Sequence, residues 1–187
     1  MSDLRWRRLR EHPGVDHRVF ATRTVDAAHP RTGAEHRFSV LDCGDWVNVV
    51  ALTPDDRVVF VRQWRAGTDL VHLEIPGGLV DPGEAPEAAA PRELEEETGY
   101  VAATWRPLGR VAPNPAIQGN RLHTYLALDA TPTGVARPDG GEVLEVELRT
   151  LPEVAAALRD GAIDHALVVV AFAHLSLAAG GTLSRPR

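Results

Sequence analysis

Short apolar runs, cut by glycine and proline, alternate along this chain with two zones of helical character. Trp46–Leu52 and Arg57–Gln63 are dense in Val and Phe and flank Thr53-Pro54-Asp55-Asp56. A proline-containing turn between two such runs predicts a hairpin. Leu70–Ile75 predicts another strand, stopped by Pro76-Gly77-Gly78. Trp105–Ala112, His123–Leu128 and the alternating Glu142–Arg149 predict three more, with an irregular loop at Pro113–Asn120. Upstream, His17–Val25 and Glu35–Leu41 predict two strands joined through turn residues at 28–33. Residues 1–15 are basic and end at His12-Pro13-Gly14, a loop signal. They read as a solvated or partner-contacting terminus, with a nucleic-acid arm as the alternative.

Three segments predict helices. Pro86–Thr98 has proline at a first helical position and Gly99 where a left-handed cap belongs. Pro91 has no N–H for the preceding turn, which predicts a bend there or a regular part that starts near it. Pro152–Arg159 is a short helix ended by Gly161, and Asp164–Ala178 is mostly apolar with Asp164 as its N-cap. Mixed strands with two helical zones predict an α/β sandwich rather than a bundle. Leu41-Asp42-Cys43-Gly44-Asp45 is the expected boundary. It separates an N-terminal arm and β-hairpin subdomain (1–45) from the main domain (46–187).

Length and composition narrow the classes. The chain has 187 residues, 44% of them hydrophobic, enough for one core and too apolar for disorder. A net charge of −6 argues against nucleic acid as the main partner. All 20 basic residues are arginine, so a lysine mechanism is excluded and any cation that grips phosphate is a guanidinium. Cys43 stands alone, which excludes an intrachain disulfide and a thiolate metal cluster. The first residues lack an apolar stretch behind their arginines, and the longest apolar run, Ala166–Ala173, is too short for a bilayer. The expectation is a soluble cytoplasmic protein with no membrane partner.

The candidate chemistry lies in GLVDPGEAPEAAAPRELEEETGY, from Gly78 to Tyr100. On a helix Glu93, Glu96 and Glu97 fall at i, i+3 and i+4 and share a face, with Glu95 rotated away. Like charges at this spacing repel, and the last two sit where the helix dipole disfavours them by about 0.3–1 kcal/mol each. Either the face is solvated, with Arg92 paired to Glu96, or a hard divalent cation reverses the sign of the argument.

The spacing resembles the Nudix box, G-x5-E-x7-R-E-U-x-E-E-x-G-U, where U is a bulky apolar residue. Gly78, Glu84, Arg92, Glu93, Leu94, Glu96, Glu97 and Gly99 all fit, and Tyr100 stands where an aliphatic is commoner. The resemblance implies an α/β/α sandwich with a mixed sheet that binds Mg²⁺ or Mn²⁺. It implies hydrolysis of a nucleoside diphosphate linked to another group. Glu93 and Glu97 are then the expected metal ligands, with Glu96 and the Gly77 carbonyl as further ones. Arg92 orients a carboxylate and Glu84 braces the loop.

The flanks Arg62-Gln63-Trp64-Arg65 and Leu73-Glu74-Ile75-Pro76-Gly77-Gly78 look like the ADP-ribose and nucleotide-sugar branch. In that branch Arg65 and Glu74 lie by the substrate. The resemblance places the base at Glu142, with Glu145 as fallback and Glu147 solvated; a second glutamate that some members carry is replaced by Gly140. Trp46 either stacks on a nucleobase or packs in a core or interface. His123 and His165 read as structural. The implied function is hydrolysis of ADP-ribose, or of GDP-mannose and other NDP-hexoses, by a homodimer whose N-terminal segment contacts its partner. The alternatives are a nucleoside triphosphate pyrophosphohydrolase and a non-catalytic nucleotide-sugar-binding regulator.

Overall fold

The structure is a computed structural model that describes residues 4–138 and 141–186. In chain order the elements are β1 (Arg7–Asp16), β2 (Ala21–Ala28), β3 (Glu35–Asp42), β4 (Trp46–Leu52), β5 (Arg57–Arg65), β6 (Leu70–Glu74), β7 (Gly77–Leu79) and α1 (Pro86–Thr98). There follow β8 (Tyr100–Val101), β9 (Thr104–Val111), β10 (Leu122–Leu128), β11 (Thr131–Pro132), β12 (Leu144–Thr150), α2 (Leu151–Asp160) and α3 (Ala166–Ala178). They form two compact units, the chain up to Gly44 with Ala112–Arg121, and Asp45–Val111 with the chain from Leu122 onward.

The first unit is a three-stranded antiparallel sheet, β1-β2-β3, rather than the expected two-stranded hairpin. Arg7–Asp16, read from sequence as an arm ending in a loop, is a strand despite Pro13-Gly14. It is an edge strand, and its pairing shifts register between Pro13 and Asp16. A proline is tolerated at such a position because no neighbour needs its N–H. Asp26 on β2 is buried and bridged by Arg37 and His12. Those partners hold its carboxyl well below the usual carboxylate range. The loop after β9 joins this unit through Leu41 N–H donating to the Ile117 carbonyl at 2.8 Å and Asn120 Nδ2 donating to the Gly44 carbonyl at 3.1 Å.

The second unit is an α/β/α sandwich around a seven-stranded mixed sheet, ordered β12-β5-β4-β10-β9, with β6 on β5 and β7 on β4. β4 and β10 run parallel and the other pairs run antiparallel. Successive side chains of a strand face opposite ways, so each central strand feeds two cores. Val47, Val49, Ala51, Val59 and Ala127 pack with Ala89, Ala90 and Leu94 of α1. Val50, Leu52, Val58, Phe60 and Leu126 pack with Val154 of α2 and Val168, Phe172 and Leu175 of α3. Phe60 and Phe172 stack with ring centroids 5.8 Å apart. Among the described residues no helix is long and apolar enough to cross a membrane.

At the helix ends one expectation, the cap of α3, is corrected. α1 runs unbroken from Pro86 through Pro91 to a left-handed Gly99 cap. Only the Glu87 carbonyl loses a partner to Pro91, and the buried Ala89, Ala90 and Leu94 hold the helix against the sheet. Asp164 is not the cap of α3. His165 occupies that position, and Asp164 accepts instead from His72 at 3.1 Å. α2 has the capping box that Thr150 and Glu153 spell.

The site is positioned by a split in the sheet. β4 and β5 pair only at Leu52 and Val58. Farther along, β6 takes the freed edge of β5 and β7 takes that of β4. The corner Glu74–Gly77 therefore lies at the opening, with α1 packed beside it.

Candidate active site

The acidic helix face meets the corner through Glu97. The Gly77 N–H donates to Glu97 Oε2 at 3.0 Å. The contact between these two residues thus uses the Gly77 N–H, not its carbonyl. Glu97 is 3% exposed. Burial pushes its carboxyl up to about 8, with the charges of Glu93 and Glu142 adding and the Gly77 bond and Arg65 opposing. Burial raises Glu93 as well, with Arg92 opposing. Glu96 is the open member of the set, its side chain 42% exposed. Glu95 points to solvent.

Arg92 organises the outer half of the face. Its Nε and Nη2 donate to both oxygens of Glu84 at 3.0 and 2.9 Å. Nη1 donates to Glu93 at 2.9 Å and Glu96 at 3.0 Å, and Nη2 also reaches the Leu79 carbonyl at 3.0 Å. Glu84 further accepts from the Asp81 N–H at 3.1 Å, and its carboxyl is lowered, chiefly by Arg92. Glu84 is thus tied into the loop, with both oxygens committed.

Gly78 makes room for Glu93. A Cβ there would lie 2.5 Å from Glu93 Oε1 and 2.8 Å from Oε2. Those atoms are the far end of a flexible side chain, so Gly78→Ala costs little stability but displaces the carboxylate. The expected result is a folded protein with Tm within about 3 °C of the parent. Its Mn²⁺ affinity, read by electron paramagnetic resonance, falls at least about tenfold. Unchanged affinity overturns the role of Glu93.

Across the opening, β5 presents Gln63 and Arg65 on one face and Arg62 and Trp64 on the other. Arg65 donates through Nε and Nη2 to the two oxygens of Glu74 at 2.8 and 2.9 Å. Glu74 is 4% exposed, and both its oxygens are taken by the arginine. Glu74 thus fixes the direction of the Arg65 guanidinium. The charges of Glu97 and Glu142 also act on Arg65, after Glu74. Glu142 is half-buried, just before β12, and accepts from Gln63. Glu145 pairs with Arg62 and so faces the other side of the sheet. Glu147, on that same side, is held by Arg149 and Arg62. Position 140 lies outside the described residues.

Trp46 opens β4 half-buried, between Leu79 and Leu122. His123 contacts Asp45 at 3.0 Å, and His165 lies 3.7 Å from Glu74. The sequence alone marks no role for Gln63. The available signal was its strand parity with Arg65, two residues on.

Among the described residues, no three His, Cys, Asp or Glu side chains converge closely enough to hold an ion by themselves. The donor chemistry nevertheless fits one kind of cation. Glu97 is buried and Glu93 half-buried; burial penalises both charged forms, and the charge of Glu93 adds to the penalty on Glu97. Mg²⁺ is commonly held by one or two carboxylates, with water and substrate phosphate completing its shell. A pair therefore suits that ion better than a cage-bound Ca²⁺.

Comparison with known proteins identifies the family and the fold. The NUDIX domain profile matches residues 44–172. The chain is 32% identical to the methanol dehydrogenase activator of Bacillus methanolicus over 132 residues, 70% of this chain and 71% of that protein. It is 31% identical to the ADP-ribose pyrophosphatase of Bacillus subtilis over 132 residues, with the same shares. A crystal structure of an ADP compounds hydrolase superposes with a TM-score of 0.83 at 24% identity, covering 97% of this chain and 98% of that one, which establishes the fold. Nudix hydrolases generally use divalent metal ions. With the box running from β7 through the loop and α1 to the Gly99 cap, and the profile spanning most of the chain, this protein belongs to the Nudix family and is a Nudix pyrophosphohydrolase of the ADP-ribose pyrophosphatase branch.

Proposed function

We propose that the protein hydrolyses the pyrophosphate bond of a nucleoside diphosphate sugar, with Mg²⁺ or Mn²⁺, to a nucleoside monophosphate and a sugar phosphate. ADP-ribose is the first substrate of this reading, supported by the Bacillus subtilis relative. GDP-mannose or another NDP-hexose is second. The observation that carries it is the gathering of Glu93, Glu97, Glu142 and Arg65 at one opening of the sheet, each within electrostatic reach of others.

The metal supplies positive charge against the diphosphate oxygens and acidifies water. Glu93 and Glu97 would hold it, with Glu96 and the Gly77 carbonyl as further donors. Arg92 keeps Glu93 and Glu96 turned toward each other. Arg65, aimed by Glu74, faces the diphosphate with a fork suited to phosphate oxygens. Glu142 takes the proton of the attacking water. Trp46 stacks on the base. The site requires no nucleic acid and no membrane, and the lone Cys43 suits a reducing cytoplasm. The N-terminal unit, in this reading, contacts a second copy in a homodimer, and a monomer by light scattering at micromolar concentration would refute that.

The test is incubation with Mg²⁺ and a panel of ADP-ribose, NDP-hexoses, dinucleotides and nucleoside triphosphates, with products resolved by chromatography. AMP and ribose 5-phosphate from ADP-ribose are expected. Turnover of triphosphates alone overturns the substrate class. Tight nucleotide binding with no turnover points to a regulator.

A further inference from the structure

The described side-chain hydrogen bond to Glu142 comes from the neighbouring strand. Gln63 Nε2 donates to Glu142 Oε1 at 3.4 Å. Gln63 is 8% exposed, on the β5 face that also carries Arg65. Among the described residues, the charges that interact with Glu142 include three, Glu93 and Glu97 from α1 and Arg65 from β5. Two of the three repel the Glu142 carboxylate. The third, Arg65, has its Nε and Nη2 committed to Glu74. Left alone, the Glu142 carboxylate would turn away from Glu93 and Glu97 toward solvent.

An amide is a particular choice of restraint. A guanidinium or ammonium would hold the carboxylate harder but stabilise its charged form and make it a poorer base. The neutral amide supplies direction without a full charge. Burial of Gln63 between Leu144 and His72, its pairing neighbours on β12 and β6, leaves its side chain few other orientations.

We propose that Gln63 is a positioning residue that aims the Glu142 carboxylate at the attacking water through this one hydrogen bond. The proposal rests on the assignment of Glu142 as base given above. Gln63→Leu keeps the side-chain bulk and removes the donor. It is expected to lower kcat for ADP-ribose about tenfold, a fraction of what a general base contributes. KM and the Mn²⁺ affinity read by electron paramagnetic resonance stay within about twofold, because neither substrate nor metal loses a contact. In a Glu142→Gln background the same substitution lowers kcat no further, since its effect passes through Glu142. Gln63→Met, also without a donor, carries the test if thermal unfolding shows the leucine variant misfolded.

Equal losses in both backgrounds, or a loss confined to KM or metal affinity, overturn the proposal. A slow Glu142→Gln beside a fully active Gln63→Leu overturns it alone. Glu142→Gln at the parent rate overturns the base assignment, and the proposal with it.

Discussion

Glu97→Gln lowers kcat for ADP-ribose with Mg²⁺ by at least about tenfold and leaves a folded protein. The floor comes from residues that only support metal ligands, whose loss costs about 10–100-fold; a ligand itself costs no less. The fold survives because glutamine keeps the shape and the oxygen that accepts the Gly77 N–H. An unchanged rate removes Glu97 from the metal set.

The same substitution changes stability in the metal-free protein, and the direction depends on pH. The Glu97 carboxyl is raised from 4.5 to about 8 in the folded state. Between those values the folded protein holds a proton that the unfolded chain has lost, so stability falls as pH rises through the window. Below it both states are protonated, and above it the penalty is complete. In EDTA, Glu97→Gln and parent should melt together near pH 4.5, and the variant should melt several degrees higher near pH 8.5. Adding Mg²⁺ should raise the parent and not the variant, because only the parent gains from binding. Parallel pH curves for the two proteins would show that burial does not penalise this carboxylate.

Arg92→Leu destabilises the fold by about 3 kcal/mol, at the lower end for breaking a buried ion pair, because its side chain is 28% exposed. The corresponding drop in Tm is roughly 6–12 °C. Three carboxylates lose their shared cation at once. Glu93, with its side chain 13% exposed, is left charged beside Glu97 and Glu142. Arg92→Lys recovers less than half of the loss. One ammonium cannot reproduce the planar fork on Glu84 while also reaching Glu93, Glu96 and the Leu79 carbonyl. A lysine variant within about 0.5 kcal/mol of the parent, by urea unfolding, would show the network to be solvated surface.

Local chemistry is legible in the sequence. The helix at Pro86–Thr98 carries its proline start and glycine stop within its own sequence, and its carboxylates share a face by helical geometry alone. The strands of the central sheet were legible for the same reason, as runs of Val, Phe and Leu bounded by turn residues. Arg7–Asp16 was not. Its charged, proline-containing sequence has no apolar alternation, and it becomes a strand because β2 offers an edge to pair with. Asp164 reads as a cap in the sequence because a cap needs only a local N–H, whereas its actual partner, His72, lies on β6.

By itself, then, the sequence determined the family signature, the acid-rich helix and which residue types could hold a metal, because each rests on spacing within one element. Only the tertiary structure decided how those acids differ. It buried Glu97 and exposed Glu96. It joined Arg65 to Glu74 across a β-hairpin, set Glu145 on the far face of the sheet and brought Gln63 to Glu142. Burial, strand parity and cross-strand pairing depend on which chain segments become neighbours, and no spacing along one chain records that.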